Sequence, residues 1–305
     1  MKPISLTVKK VLKFVLKLFV SGVAITFIIS KIDVNQVWNE ICTANIWFLV
    51  GALVIYVASQ MLSAIRLNFM FAAMPLPLGT AMNMRLYWLG MFYNFFLPGG
   101  IGGDGYKVYY LNKHYRQHVK DLIATVLGDR LSGMTAIVIY LLLFSSFFVE
   151  KLPIPMREYT FLLIPLVVGA YYLFLRIVKR GLCQAFTKVV SMSFLIQGMQ
   201  MCAATFVLYS LSGTTADMES YMFLFFVSTI ASAIPIALPG GLGVREAVFF
   251  FGSQTLGTDE TVAISLSLLF YVVSLISSVP GIVYMLRPSL IEGKKEHKGT
   301  PFYQT

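Results

Sequence analysis

Charge is what this sequence has least of. Only 12% of its 305 residues are charged, about half the roughly 25% of an ordinary soluble domain. With 57% of the chain hydrophobic, too few polar side chains remain to cover a water-facing surface. Cysteine is scarce too: Cys42, Cys183 and Cys202 are an odd number with no CxxC spacing. That excludes a disulfide framework or thiolate metal centre and leaves three small apolar residues. Of the three histidines, His114 and His118 lie among Lys113, Arg116 and Lys120, as on a basic interfacial face, and His297 lies in a polar tail. Neither a metal nor another cofactor is expected. The chain also lacks a Walker motif, and no Ser/His or His/Asp constellation falls within its apolar runs.

What it has is long apolar runs. Those at residues 46–71, 126–149, 161–178, 189–211 and 264–286 approach or exceed the ~20 residues that cross a bilayer as helix. At the N-terminus, Lys2, Lys9, Lys10, Lys13 and Lys17 precede an apolar stretch without a convincing small-residue cleavage site. Residues 11–32 therefore read as a retained first span, with Lys13 and Lys17 snorkelling toward the surface. The fold class is an all-α polytopic membrane protein of about six spanning helices. Residues 1–287 form one transmembrane domain, and 288–305 form a polar cytoplasmic tail.

Lys and Arg gather at the N-terminus and in segments 107–120, 176–188 and 287–298, while the other loops are balanced or acidic. Basic loops belong in the cytoplasm, which places both termini there. This assignment constrains the sequence LPGGIG at 97–102 and its near copy LPGGLG at 238–243. Everything between the spans at 46–71 and 126–149 must enter and return on the cytoplasmic side, so residues 82–111 read as a hairpin broken at the first motif. Residues 221–256 read as a second hairpin, broken at LPGGLG and entering from the opposite face. The halves, about 46–150 and 188–287, share one order of elements run in opposite directions. That is the pattern of an inverted repeat with discontinuous helices. Whether the hairpins are re-entrant or cross fully is left open by charge.

Pro98 and Pro239 cannot continue an incoming helix, and Gly99, Gly100, Gly102, Gly240, Gly241 and Gly243 permit tight turns and close approach. The helix that follows each motif begins with unpaired N–H groups at the positive end of its dipole, a place for an anion. Asp104 and Lys107 follow the first motif, Arg245 and Glu246 the second, and Asp129 with Arg130 stands near the start of a span. Charges at membrane depth cost at least ~2.5 kcal/mol each and so face a cavity or one another. Adjacent charges point about 100° apart on a helix, so Arg245 and Glu246 are expected to have different partners. Arg66 and Arg85 lie near the cytoplasmic boundary, where snorkelling explains them as well as function does. Asn94, a turn before the first motif, either caps the break or contacts a ligand.

The run NFFLPGGIGGDGYK at 94–107, then Asp129-Arg130, then LPGGLGVRE at 238–246 resembles the lysylphosphatidylglycerol synthase transmembrane region family. That family includes the flippase domain of the bacterial multiple peptide resistance factor. The resemblance covers essentially the whole chain. It implies an integral protein of a bacterial or archaeal cytoplasmic membrane that moves or handles lipids, with the motif residues named above at its site. Lys107 stands where the pattern leads one to expect arginine, and Asp129 where glutamate is common. The soluble aminoacyl-transfer domain of the fused synthases is absent from this sequence, so lipid lysinylation is not expected.

The expected function is therefore lipid translocation, without enzymatic activity. A phosphate-bearing headgroup would meet the helix N-termini and Arg245 or Lys107, and Asp104 or Glu246 would pair with headgroup cations. A gradient, a partner or the lipid's own gradient would supply energy. The alternative is an accessory protein presenting a phospholipid or polyprenyl phosphate to a separate lipid-modifying enzyme, and an acid–base pair at Asp104 and Glu246 is the remaining enzymatic option. No nucleic-acid partner is expected.

Overall fold

The computed structural model describes residues 33–292 apart from 75, 77, 97–101, 146–155, 212–216 and 234–240. The expected first span, 11–32, lies outside the described residues. Among those described, every regular element is a helix: α1 Val34–Thr43, α2 Ile46–Ala72, α3 Thr80–Phe96, α4 Gly102–Tyr115, α5 Val119–Ser145 and α6 Met156–Val178 come first. A 3-10 turn, Arg180–Ala185, then leads into α7 Phe186–Ser210, followed by α8 Met218–Ala233, α9 Val244–Leu256, α10 Glu260–Ser278, α11 Gly281–Leu286 and α12 Ser289–Glu292. This is an all-α polytopic membrane protein. In hydrocarbon each backbone N–H and C=O needs a partner within its own segment, and helices provide one. The helices α2, α5, α7 with its 3-10 turn, and α10 with α11 are long and apolar enough to cross a membrane. The expected run 161–178 falls within α6.

Helix starts are marked by side-chain caps. Asp33 accepts from Asn35 and Gln36 N–H at α1, Asn45 from Trp47 at α2, and Asp259 from Thr261 and Val262 at α10. The first of these belongs to a helix unforeseen in the sequence, where the region reads as a loop. Val37 of α1 is buried against Phe250 and Ile264. Large side chains such as Trp47, Val54 and Leu162 remain on the outside, where lipid is the natural solvent.

Side-chain contacts give the direction of each helix. At one end of α2, Asn45 N–H donates to Ser210 C=O at 2.7 Å, and the Phe48 ring meets Phe206 and Tyr209. At the other end Arg66 donates to Ser193, and Lys188 Nζ lies 5.3 Å from the Phe69 ring centroid. The helices α2 and α7 are therefore antiparallel, and theirs is the most extensive helix contact.

α3 and α4 form a hairpin. Met82 and Tyr115 touch at its mouth, the Tyr93 and Tyr106 rings meet at 5.0 Å, and Gly103 N–H donates to Asn94 Oδ1 near its tip at 2.9 Å. Its mouth lies where α2 ends, since Asn83 donates to Ala64 C=O at 2.6 Å. α8 and α9 form the second, with Leu224 against Gly252 and the Tyr221 hydroxyl donating to Asp259 C=O at the mouth. This mouth lies where α7 ends, with Thr205 on Met222. Because α2 and α7 run in opposite directions, the mouths open toward opposite ends of the bundle.

Length decides between re-entry and full crossing. The 14 residues of α4 span roughly 21 Å and the 13 of α9 roughly 20 Å at 1.5 Å per residue, short of the ~30 Å hydrocarbon core. Near the tip, Asp104 pairs with Arg130, about 17 Å along α5 by the same rise. Arms of this described length fit re-entrant hairpins better than full crossings.

Exchanging α2 with α7, α3 with α8, α4 with α9 and α5 with α10 carries contacting pairs onto contacting pairs. Thus α2–α3 maps onto α7–α8, α3–α4 onto α8–α9, α4–α5 onto α9–α10, α2–α5 onto α7–α10, α2–α10 onto α7–α5, and α3–α10 onto α8–α5. Each hairpin also seeds its own apolar cluster, one around Leu86, Leu89 and Leu111, the other around Phe225, Phe249 and Phe270.

Candidate functional site

At the first tip the chain closes tightly and satisfies itself. A Cβ on Gly103 would run into the carbonyl oxygen of Gly90, so only a residue without one lets α3 and α4 approach. The N–H of Gly103, an orphan at a helix start, is taken by Asn94, which therefore acts here as a cap. Asp104 sits between two cations, Lys107 Nζ at 3.2 Å and Arg130 Nε. Lys107, itself buried, has its Nζ 4.3 Å from the ring centroid of Tyr87.

Asp129, next to Arg130, faces another way. Its carboxylate accepts from Arg66 Nε at 2.8 Å and Nη2 at 3.1 Å, while Arg66 Nη1 donates to Ser193 Oγ at 2.9 Å. Ser193 in turn donates to Ser132 at 3.0 Å. One buried network thus ties α2, α5 and α7 together. Arg66 does not snorkel; it is 6% exposed. Arg85 donates to Leu290 C=O at 2.9 Å and holds α12 on the hairpin, where Ile291 is buried.

The second tip is built differently. Gly241 and Gly243 have φ of +84° and +85°, a region that an L side chain enters only at a cost, and a Cβ on Gly241 would stand 2.8 Å from Ser232 Cβ and Oγ. Glu246 Oε2 accepts from Gly243 N–H at 2.6 Å, and Oε1 from the Ser267 hydroxyl at 3.0 Å. Arg245 points elsewhere, as expected for neighbours on a helix. It is 7% exposed, its guanidinium carbon lies 5.2 Å from the Phe270 ring centroid, and its Nε and Nη2 have no hydrogen-bond partner among the described residues. Pro98, Gly99, Gly100, Pro239 and Gly240 lie outside the described residues.

The tips converge. Phe95, just before the first break, packs its ring 5.6 Å from Tyr271, the neighbour of Phe270. Tyr56 of α2 packs 5.4 Å from Phe270. One turn along α2, Gln60 accepts from the hydroxyl of Tyr87 at 3.5 Å, the ring beside Lys107. Superposing the two motifs puts Asp104 and Arg245 at the same place, second after the last shared glycine, yet they do not pair. Among the described residues no group of three His, Cys, Asp or Glu side chains could hold a metal.

Sequence reasoning placed Arg66 at a boundary and gave Ser193, Ser267, Tyr87 and Phe270 no role. The signal for Arg66 was available: it and Asp129 are opposite charges on spans that end and begin at the same face. Opposite charges so placed are natural partners.

These features define a class: a helical membrane protein of two exchanged units, each with a re-entrant hairpin whose tip carries buried charge. The model of the Lysylphosphatidylglycerol synthase TM region matches residues 14–281, and the chain belongs to that family, whose membrane domain is associated with lipid handling. No curated protein matches the chain significantly.

Gly241→Ala should lower thermal stability by about 1–3 kcal/mol, from positive φ and crowding against Ser232. Pairing it with Ser232→Gly relieves only the crowding and should recover part of the loss. Thermal unfolding of the purified variants measures both; full recovery would show that the backbone conformation contributes nothing.

Proposed function

We propose that this protein binds the phosphate of a membrane lipid between its two hairpin tips and moves the headgroup across the bilayer while the acyl chains stay in lipid. The observation that carries the reading is Arg245: a buried guanidinium at a helix N-terminus with two donor groups unpartnered among the described residues. Leaving such donors unmade costs about 1–3 kcal/mol, more for a charged group, and a phosphate oxygen would satisfy them with charge-assisted bonds. The glycines at 241 and 243 let the ligand approach the backbone there.

Two re-entrant hairpins that open on opposite ends supply a route from each leaflet to mid-depth, which suits translocation better than presentation at one face. In this reading the basic residues Lys113, Arg116 and Lys120 put the mouth of the first hairpin in the cytoplasm, and the chain performs no covalent chemistry. Fluorescent phospholipid in proteoliposomes, quenched from outside, tests this. Wild-type protein should make inner-leaflet lipid accessible, and Arg245→Gln should slow that markedly. Lipid binding without movement would instead favour an accessory that presents lipid to a separate enzyme.

A further inference from the structure

Resting on that lipid-handling reading, we infer that the site selects a phosphate-bearing headgroup carrying no cation of its own, an acidic lipid rather than a zwitterionic or aminoacylated one. A headgroup ammonium needs a carboxylate at this depth, and each one around the tips is already taken. Asp104 holds Lys107 and Arg130, Asp129 holds the Nε and Nη2 of Arg66, and Glu246 holds Gly243 N–H and the Ser267 hydroxyl. Drawing Asp104 toward a ligand amine would strand Lys107, which is 5% exposed against Tyr87. Drawing Glu246 away would uncap α9.

Among the described residues around the tips, four cations, Arg66, Lys107, Arg130 and Arg245, face the three carboxylates Asp104, Asp129 and Glu246. The excess of one positive charge falls where Asp104 faces both Lys107 and Arg130, and the cation whose Nε and Nη2 have no partner among the described residues is Arg245. Asp104 and Arg245 occupy equivalent places in the two motifs, so the tips are opposite in character. At the first the charged side chains hold one another; at the second Arg245 awaits an acceptor. A monoanionic phosphate diester closes this balance, whereas a headgroup with its own ammonium restores the excess charge in low dielectric, where like charges repel strongly.

The test is native mass spectrometry of the purified full chain in a neutral detergent, titrated with phosphatidylglycerol, phosphatidylethanolamine, lysyl-phosphatidylglycerol and inorganic phosphate. Phosphatidylglycerol should bind about 10-fold or more tighter than either amine-bearing lipid, the worth of one charge-assisted hydrogen bond. Arg245→Gln should bring the three lipids within about threefold of one another, on the same scale. Arg245→Lys, which keeps the charge but loses the planar fork, should keep the order with a smaller gap. It provides the comparison if the Gln variant yields no folded protein. Equal or tighter binding of either amine-bearing lipid by wild type would overturn the charge selection and leave lipid handling standing. Binding of inorganic phosphate with no lipid bound would overturn the lipid reading and this inference with it. An unchanged preference in Arg245→Gln, or no loss of preference in Arg245→Lys, would remove the selection from Arg245.

Discussion

Asp129→Asn is expected to destabilise the protein by about 3–5 kcal/mol, because it leaves a buried guanidinium facing a neutral amide. Arg66 and Asp129 meet through two bonds of 2.8 and 3.1 Å at a junction where three helices cross, with Ser193 and Ser132 completing the chain of donors. Asparagine offers one acceptor oxygen where the carboxylate offers two, and its amide group points donors at a donor. Replacing both partners at once, Arg66→Met with Asp129→Leu, removes both charges together and should return stability to within about 1–2 kcal/mol of wild type, since a buried pair repays little more than its own desolvation. Thermal unfolding followed by size-exclusion chromatography measures both variants. A single variant as stable as wild type would show that the pair is wet. If the double variant recovers stability and phosphatidylglycerol binding as well, the pair is structural and the ligand lies elsewhere.

Gly103→Ala should be comparably damaging, at about 3 kcal/mol or more, from overpacking against a backbone that cannot rotate away. A Cβ there would overlap the carbonyl of Gly90, so α3 and α4 would have to part at the point where Asn94 caps Gly103 and Lys107 reaches Asp104. Gly105→Ala, two residues on in the same helix, is the natural contrast. Nothing lies within 4 Å of its added methyl group, and alanine's better helix propensity should make it neutral or stabilising by up to ~1 kcal/mol. Equal melting temperatures for the two variants would mean that the hairpin is not closed in solution as it is here.

Much of this architecture is legible in the sequence because the bilayer simplifies the physics. An uninterrupted apolar run such as 46–71 has few alternatives to a spanning helix, and the alternation of basic and acidic loops constrains where chain reversals fall. The repeated LPGG run marks both breaks. That adjacent charges at 129–130 and 245–246 have separate partners follows from helical geometry alone. Asn94, one turn before its break, is recognisable as a polar side chain for the break, although only the structure shows that the backbone N–H of Gly103 takes it.

Hydropathy treats each helix alone, and there the reading stops. It says nothing of which spans touch, so the Arg66–Asp129 pair stays hidden, and with it the Ser193 link to α7. The short α1 is too brief and too polar to register beside its neighbours. Nor can hydropathy say that Asp104 is claimed by Lys107 and by Arg130, a residue far along the chain, and not by Arg245. Such competition among partners is set by tertiary packing.

Movement of a headgroup between leaflets requires that the two hairpins open on opposite faces, and two cysteines test that directly. In a background lacking Cys42, Cys183 and Cys202, Gln117→Cys at the mouth of the first hairpin and Thr258→Cys at the mouth of the second would be labelled with a membrane-impermeant maleimide in intact cells and in inverted vesicles. Position 117 should react only in the inverted vesicles and position 258 only in the intact cells. Labelling of both from the same side would contradict the opposed hairpins and, with them, a route joining the two leaflets.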